Sequence, residues 1–258
     1  MKKSKMLALL AALIATLLIV AACGSSDEGS GDSEGEVYQV GIDTTYPPFE
    51  YEEDGEYKGI DVDLIRAIAE NQGFEIELNP MDFGGIIPAV QAGQLDVAIA
   101  GMSITDERKE VVDFSDPYFE AGLTLVTAAD TSDISGLEDL EGKTVVVKTG
   151  TTGAQFAQDN QAEYGYEITT LEDSPSMFQE VSNGSADVLI EDYPVIAYAI
   201  AQSNLDLQIV GERLNGDNYG IAVLKGENAD LLEKINTGLQ ELRDSGEYDE
   251  IISTYITE

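Results

Sequence analysis

Apolar positions along this chain fall into short blocks that alternate between strand-like runs and helical faces. The run at 96–100, DVAIA, reads as a buried strand. Before it, 37–42 alternates loosely as a strand. Asp61 then starts a helix with Val62, Ile65, Ile68 and Ala69 on one face and Gly73 at its end. A strand at 74–78 and a short helix ending by Gly93 complete a strand–helix–strand–helix–strand order, which predicts a parallel sheet with helices outside it. Between these elements lie a loop at 43–51 stiffened by Pro47 and Pro48, a turn at 52–55 and a loop at 80–85. After an apolar segment at 123–128 the order restarts: strand 143–147, loop 148–153, helix to about Gln161, strand 167–170, helix 175–183 with proline in its first turn, strand 187–190. EDYP at 191–194 opens another helix. The chain closes with a strand at 219–224, an amphipathic helix at 228–243 whose Leu231, Leu232, Ile235, Leu239 and Leu242 share a face, and a short helix at 248–255.

The two halves superpose in sequence. VQAGQLDVAI at 90–99 and VSNGSADVLI at 181–190 share Val, Gly, Asp, Val and Ile in one register, 91 residues apart. The residues that follow the repeated strand are Ala100 and Gly101 in one copy, and Glu191 and Asp192 in the other. Ligands of open α/β sheets sit outside the C-terminal strand ends, so two such ends facing each other would close on one guest from both sides.

Chemistry gathers just after the first copy. Gly101, Ser103, Thr105 and Arg108 follow one another, with Arg108 one turn into a predicted helix. Bare backbone at a glycine, hydroxyls, a helix start and a guanidinium are the parts of a carboxylate grip. The same residues also read as a helix cap beside a surface ion pair.

Charge and composition narrow the field. The 258 residues hold 50 Asp and Glu against 13 Lys and Arg, a net charge of −37. Setting aside Lys2, Lys3 and Lys5 leaves a charge near −40 on the rest of the chain, which repels nucleic acid and anionic headgroups. No histidine is present, which excludes histidine-based catalysis and the common zinc sites, and the single cysteine, Cys23, forms no internal disulfide. No cofactor or metal is expected. Residues 1–22 carry a lysine-rich start, an apolar run and small residues, the layout of a secretory signal. Residues 24–36 are Gly, Ser and acid only, a composition that forms a flexible spacer.

Taken together the motifs resemble the extracytoplasmic solute-binding lipoproteins of polar amino acid ABC importers, family 3, closest to glutamine binders. They are DTTYPPFEY (43–51), GIDVDLIRAIA (59–69), MDFGGIIPAVQ (81–91), AGMSITDERKEVVDFSDPY (100–118), VKTGTTG (147–153), EDYP (191–194) and YGIAV (219–223). VAACG at 20–24 resembles the lipoprotein processing site. The resemblance implies a signal peptide at 1–22, a lipid on Cys23 that tethers the protein to the outer face of the cell membrane, and a linker at 23–36. It implies a two-lobed periplasmic-binding-protein-like (type II) α/β fold. Lobe 1 would comprise 37–117 and 220–258, lobe 2 would comprise 123–214, and crossovers at 118–122 and 215–219 would form the hinge. A monomer is expected, with a free amino acid and an ABC permease as partners, and no enzymatic activity.

Carried across by the same resemblance, Arg108 would hold the ligand's α-carboxylate with Ser103 and the backbone at Thr151 and Thr152. Asp192 would take the α-ammonium with Gly101 and Ser103, beside Ala100. Tyr46 and Phe83 would sandwich the side-chain stem, and Asp43 and Lys148 would meet its far end. Without the family, Tyr46 and Phe83 read as core and Asp43 and Asp192 as turn or cap residues. An acceptor at Asp43 and a donor at Lys148 suit a carboxamide, so glutamine is favoured. Glu191 brings the five charged candidates to −1, which suits arginine, lysine or ornithine, more so if Lys148 pairs with Glu191. The rivals from other classes are a small dehydratase-like enzyme, for which Glu191 is the spare acid–base group, and a sensor module, which would continue into a membrane span. So acidic a surface predicts adaptation to high salt: the unfolding midpoint should rise with added sodium chloride, and a flat or falling midpoint would remove that reading.

Overall fold

The sequence repeat is a repeat of structure. A computed structural model describes residues 37–256 apart from Asn204. The signal, Cys23 and the spacer lie outside the described residues. In the first copy β1 (Val37–Ile42), α1 (Ile60–Gln72), β5 (Glu75–Pro80), α2 (Phe83–Gln91) and β6 (Val97–Ala98) follow in order, and β1 pairs in parallel with both β5 and β6. In the second, β10 (Thr144–Lys148), α3 (Thr152–Tyr164), β11 (Glu167–Leu171), α4 (Ser174–Ser182) and β12 (Val188–Asp192) do the same, with β10 parallel to β11 and β12. Val40 lies opposite Val97 and Val145 opposite Val188.

The repeated aspartate has one job in both copies. Asp96 Oδ2 accepts the Gln39 N–H at 2.8 Å, and Asp187 Oδ2 accepts the Thr144 N–H at 2.8 Å. Each stands one residue before its strand and ties down the neighbouring strand. Gly93 and Gly184 match as well, at φ 68° and 77°.

Each sheet carries two antiparallel strands on its other side. β9 (Leu123–Ala128) and β13 (Leu207–Val210) extend the second sheet to the order β11-β10-β12-β9-β13. The first reads β5-β1-β6-β15-β7, with β7 (Val112–Phe114) and β15 (Ala222–Leu224). Residues far apart in sequence thus share a sheet. Both sheets are covered on two faces: Val145 and Val147 belong to one apolar cluster and Val146 to another, and all three are fully buried. Val97 and Ile99 likewise part from Ala98 and Ala100. That burial is why these segments read as continuous apolar runs.

Several elements differ from the sequence expectation. The strand expected at 96–100 pairs only over Val97–Ala98, because the chain then turns and the Gly101 N–H bonds Asp61 Oδ2 at 2.7 Å. The helix expected around Arg108 is a single 3-10 turn, Arg108–Glu110, started by the Arg108 N–H on Thr105 Oγ1 at 3.2 Å and ended by β7. The strand expected at 219–224 divides. β14 (Asn218–Tyr219) pairs with β8 (Phe119–Glu120) in a ribbon of its own, and only β15 joins the first sheet. The loop at 43–51 and the turn after it hold a three-stranded sheet of β2 (Thr45–Tyr46), β3 (Glu50–Glu53) and β4 (Glu56–Lys58). α5 (Tyr193–Ser203) follows β12 directly, and α6 (Ala229–Ser245) packs on α1 and on α7 (Glu247–Tyr255). Among the described residues no helix is long and apolar enough to cross a membrane.

The shared role of the aspartates is testable. Asp96→Ala and Asp187→Ala should each lower unfolding stability by about 1–2 kcal/mol in urea, the value of a partly buried bond to a charged acceptor. Unchanged midpoints in both would contradict it.

Candidate functional site

The C-terminal ends of β1, β6, β10 and β12 converge on a small, tight cavity. Its wall is Tyr46, Phe83, Gly101, Ser103, Arg108, Lys148, Thr151, Thr152 and Asp192, all of them residues singled out in the sequence. Asp43, Ala100 and Glu191, the other three, stand behind that wall. Strands of both five-stranded sheets contribute, so the cavity lies between them.

Each wall residue is placed by local structure. Asp43 follows β1 and closes an Asx turn, its Oδ1 accepting the Thr45 N–H at 2.9 Å and hydroxyl at 2.7 Å. The turn reading of Asp43 therefore holds, and its Oδ2 remains to accept from Lys148 Nζ. That ion pair is almost wholly buried, with side chains 3% and 2% exposed. Lys148 does not pair with Glu191. Its ammonium also lies 4.7 Å from the centre of the Tyr46 ring.

Arg108 is buried at 8% exposure, which excludes the surface ion pair. Its guanidinium donates to Ser103 O at 2.7 Å and to Gly150 O at 3.1 Å, and it lies over Phe83 at 5.2 Å. Among the described residues it has no carboxylate within salt-bridge distance. Burial pulls its pKa down, with Asp192 and Asp217 opposing. Thr151 caps α3, accepting the Ala154 N–H at 3.1 Å, so the helix N-terminus at Thr152 faces the same space. Two glycines allow the close fit. A Cβ on Gly101 would lie 2.6 Å from the Tyr46 ring, and one on Gly150 would lie 2.9 Å from Gly84 Cα.

The opposite pole is Asp192, the last residue of β12. Its Oδ2 accepts the Tyr46 hydroxyl at 2.7 Å and the Tyr219 hydroxyl at 2.6 Å, while Oδ1 is buried with no hydrogen-bond partner. Burial pushes its pKa up, and the two hydroxyls oppose that. Glu191 stands beside it, with Oε1 3.1 Å from the Tyr46 hydroxyl and accepting the Asp192 N–H at 2.9 Å. Tyr46 has one proton, and the shorter contact gives it to Asp192. Glu191 is left as the weaker acid of the two, pushed up to about 7 by burial and then by Asp192. The cavity thus offers a guanidinium at one end and a half-satisfied carboxylate at the other, enough to grip a small solute of opposed charges. Among the described residues no cluster of metal-ligating side chains is present.

Three participants were missed in the sequence. Tyr219 read as a core strand residue, yet its hydroxyl holds Asp192 and its ring meets Phe49 edge-on at 5.0 Å. The Gly150 carbonyl and Asp217, whose charge Arg108 favours, left no mark in residue type or spacing. The Glu191 shift has a defined sign. A carboxyl held above its unfolded value binds its proton more tightly in the folded state, so its stability contribution is complete below about pH 4.5 and is lost as pH rises through about 7. Glu191→Gln should flatten that fall, about 1.4 kcal/mol per pH unit for one proton. Identical pH profiles of urea unfolding for variant and parent would contradict the assignment.

The chain matches the family model of bacterial extracellular solute-binding proteins, family 3, over residues 38–258. It is 35% identical over 255 residues to the arginine-binding extracellular protein ArtP of Bacillus subtilis, covering 98% of each chain. It is 32% identical over 276 residues to the ABC transporter glutamine-binding protein GlnH of the same organism, covering 100% of this chain and 98% of the other. Among solved structures, an ancestral arginine-binding protein bound to arginine superposes with a TM-score of 0.81 at 44% identity, covering 86% of this chain and 98% of the other. An ancestral arginine-binding protein bound to glutamine gives 0.80 at 45%, with the same coverage. With that match across the whole described fold and these relatives at full length, the chain belongs to the family 3 bacterial extracellular solute-binding proteins, which bind solutes and are not enzymes.

Proposed function

We propose that the protein binds a free polar L-amino acid in this cavity and delivers it to an ABC permease. The observation that carries the reading is Asp192 Oδ1, buried and unpartnered in a cavity whose other pole is an Arg108 without a carboxylate. An amino acid supplies both missing charges, its ammonium to Asp192 and its carboxylate to Arg108, Ser103 and the start of α3. Tyr46 and Phe83 flank the stem between them, and Gly101 forms the floor.

Glutamine is the favoured ligand. Lys148 and Asp43 neutralise each other and together offer one donor and one acceptor, which a carboxamide matches. A guanidinium placed there would sit beside the Lys148 ammonium, a like-charge contact in a buried site. The second reading is a basic amino acid. The arginine-binding relatives favour it, as does the extra carboxyl of Glu191 behind Tyr46.

In this reading residues 37–117 with 220–258 form one lobe and 123–214 the other, and 118–122 with 215–219 serve as the hinge. The β8–β14 ribbon at those crossovers supports that division. The ligand favours closure because it touches both lobes. A lipid on Cys23 and the spacer to residue 36 would hold a monomer at the outer face of the membrane.

Calorimetry with glutamine, asparagine, arginine, lysine, histidine and glutamate should rank glutamine first. A tighter arginine would select the second reading, and no binding to any of the six would overturn the proposal. Arg108→Ala and Asp192→Ala should each cost about 3–5 kcal/mol, two to four decades of affinity, because each leaves one ligand charge buried and alone.

A further inference from the structure

Beneath the cavity floor two carboxyl groups face each other in the core. Glu50 in β3 and Asp61 in the first turn of α1 are both 0% exposed. The segments that carry them are tied by the Asp61 N–H to Phe49 O at 2.9 Å and the Ile60 N–H to Pro48 O at 3.0 Å. Asp61 Oδ2 accepts two bonds, from the Gly101 N–H at 2.7 Å and the Tyr118 hydroxyl at 2.9 Å. Neither Glu50 oxygen receives an N–H or O–H, and nor does Asp61 Oδ1. Of the charged groups around Glu50, Asp61 is the one that most opposes its ionisation, which puts the two carboxyls side by side. Two adjacent buried anions with three empty acceptors would be far more costly than one acid donating to one carboxylate.

The surroundings say which carboxyl keeps the proton. Asp61 has two donors and the N-terminal end of the α1 dipole, both of which favour its charge. Glu50 has neither. The other charged groups that act on Glu50 are Asp43, which opposes its ionisation, and Lys148, which favours it but is already paired with Asp43. We propose that Glu50 carries a proton at neutral pH and donates it to Asp61, and that this acid–carboxylate pair positions the Gly101 peptide in the cavity wall.

Burial and the neighbouring Asp61 both push Glu50 well above the usual carboxylate range, in keeping with the geometry. The position matters because Gly101 stands at φ 51° against the Tyr46 ring, where a small rotation of the peptide would change the wall. Asp61 also reaches Tyr118, next to β8, so one carboxylate fixes the cavity floor and the start of the crossover together. Glu50 and Asp61 are thus positioning residues. The proton assignment stands without the ligand reading, and the positioning role rests on it.

Infrared spectroscopy at about pH 7, with Glu191→Gln present in every protein compared so that the other raised carboxyl is silent, reads the proton directly. The full protein should show a protonated carboxylic acid band that Glu50→Gln abolishes and Asp61→Asn retains. Absence of the band, or its loss in Asp61→Asn and survival in Glu50→Gln, overturns the assignment. Calorimetry with glutamine and with arginine reads the positioning. Glu50→Gln keeps a donor for Asp61 and should bind within about threefold of the parent, whereas Glu50→Ala should weaken binding about tenfold. If Glu50→Ala does not fold, Asp61→Asn takes its place, since one amide oxygen cannot serve Gly101, Tyr118 and Glu50 together. Parental affinity in the folded variant that lacks the pair overturns the positioning role. A parent that binds neither amino acid overturns that role with the ligand reading, while the infrared result still decides the proton.

Discussion

A charge taken out of water must find a partner, and the cavity between the two sheets is built around partners that are half supplied. Lys148 and Asp43 satisfy each other inside the protein. Arg108 and Asp192 do not: one has only backbone carbonyls, and the other keeps a bare buried oxygen. Everything nearby moderates that imbalance. Two tyrosine hydroxyls stabilise the Asp192 charge, and aromatic rings cover both cations. Glu191 holds its proton more readily so that two adjacent carboxylates need not both be charged. On the proposed reading an amino acid's own charges complete the set, which makes closure conditional on the ligand.

The fold delivers these groups through a repeated unit. Two copies of strand–helix–strand–helix–strand present equivalent strand exits, anchored by Asp96 and Asp187 in the same way. What differs is the residue at the exit. In one copy it is small and lets backbone approach the cavity; in the other it is acidic. Equivalent backbones carrying unlike chemistry give a site with two distinct poles. Beneath the small exit, the Glu50–Asp61 pair supplies a fixed acceptor for the Gly101 peptide.

Much of this was legible in the sequence, for physical reasons. Sheets covered on both faces demand continuous apolar runs, so the parallel strands showed clearly, and Gly93 and Gly184 marked the ends of the helices before them. Arg108, Asp192, Lys148 and the wall aromatics sat in motifs whose joint order is specific. Partnerships were harder to see. Nothing in residue type says that Lys148 meets Asp43 rather than Glu191, because 105 residues separate the pair and only the tertiary structure chooses. Tyr219 read as core because it is fully buried, and burial hides the purpose of its hydroxyl. The sheet of β2, β3 and β4 was missed because short, half-exposed strands lack the apolar signal that marks buried ones. Glu50 gave no sign, since a buried acid looks in sequence like any surface one.

The most direct test of the central claim leaves the protein unchanged and edits the ligand. Calorimetry would compare glutamine with 4-carbamoylbutanoate, which lacks the ammonium, and with 4-aminobutanamide, which lacks the carboxylate. The account predicts that each analogue loses at least about two decades of affinity, because each leaves Asp192 or Arg108 without its counter-charge. Binding of either analogue within about tenfold of glutamine would contradict it.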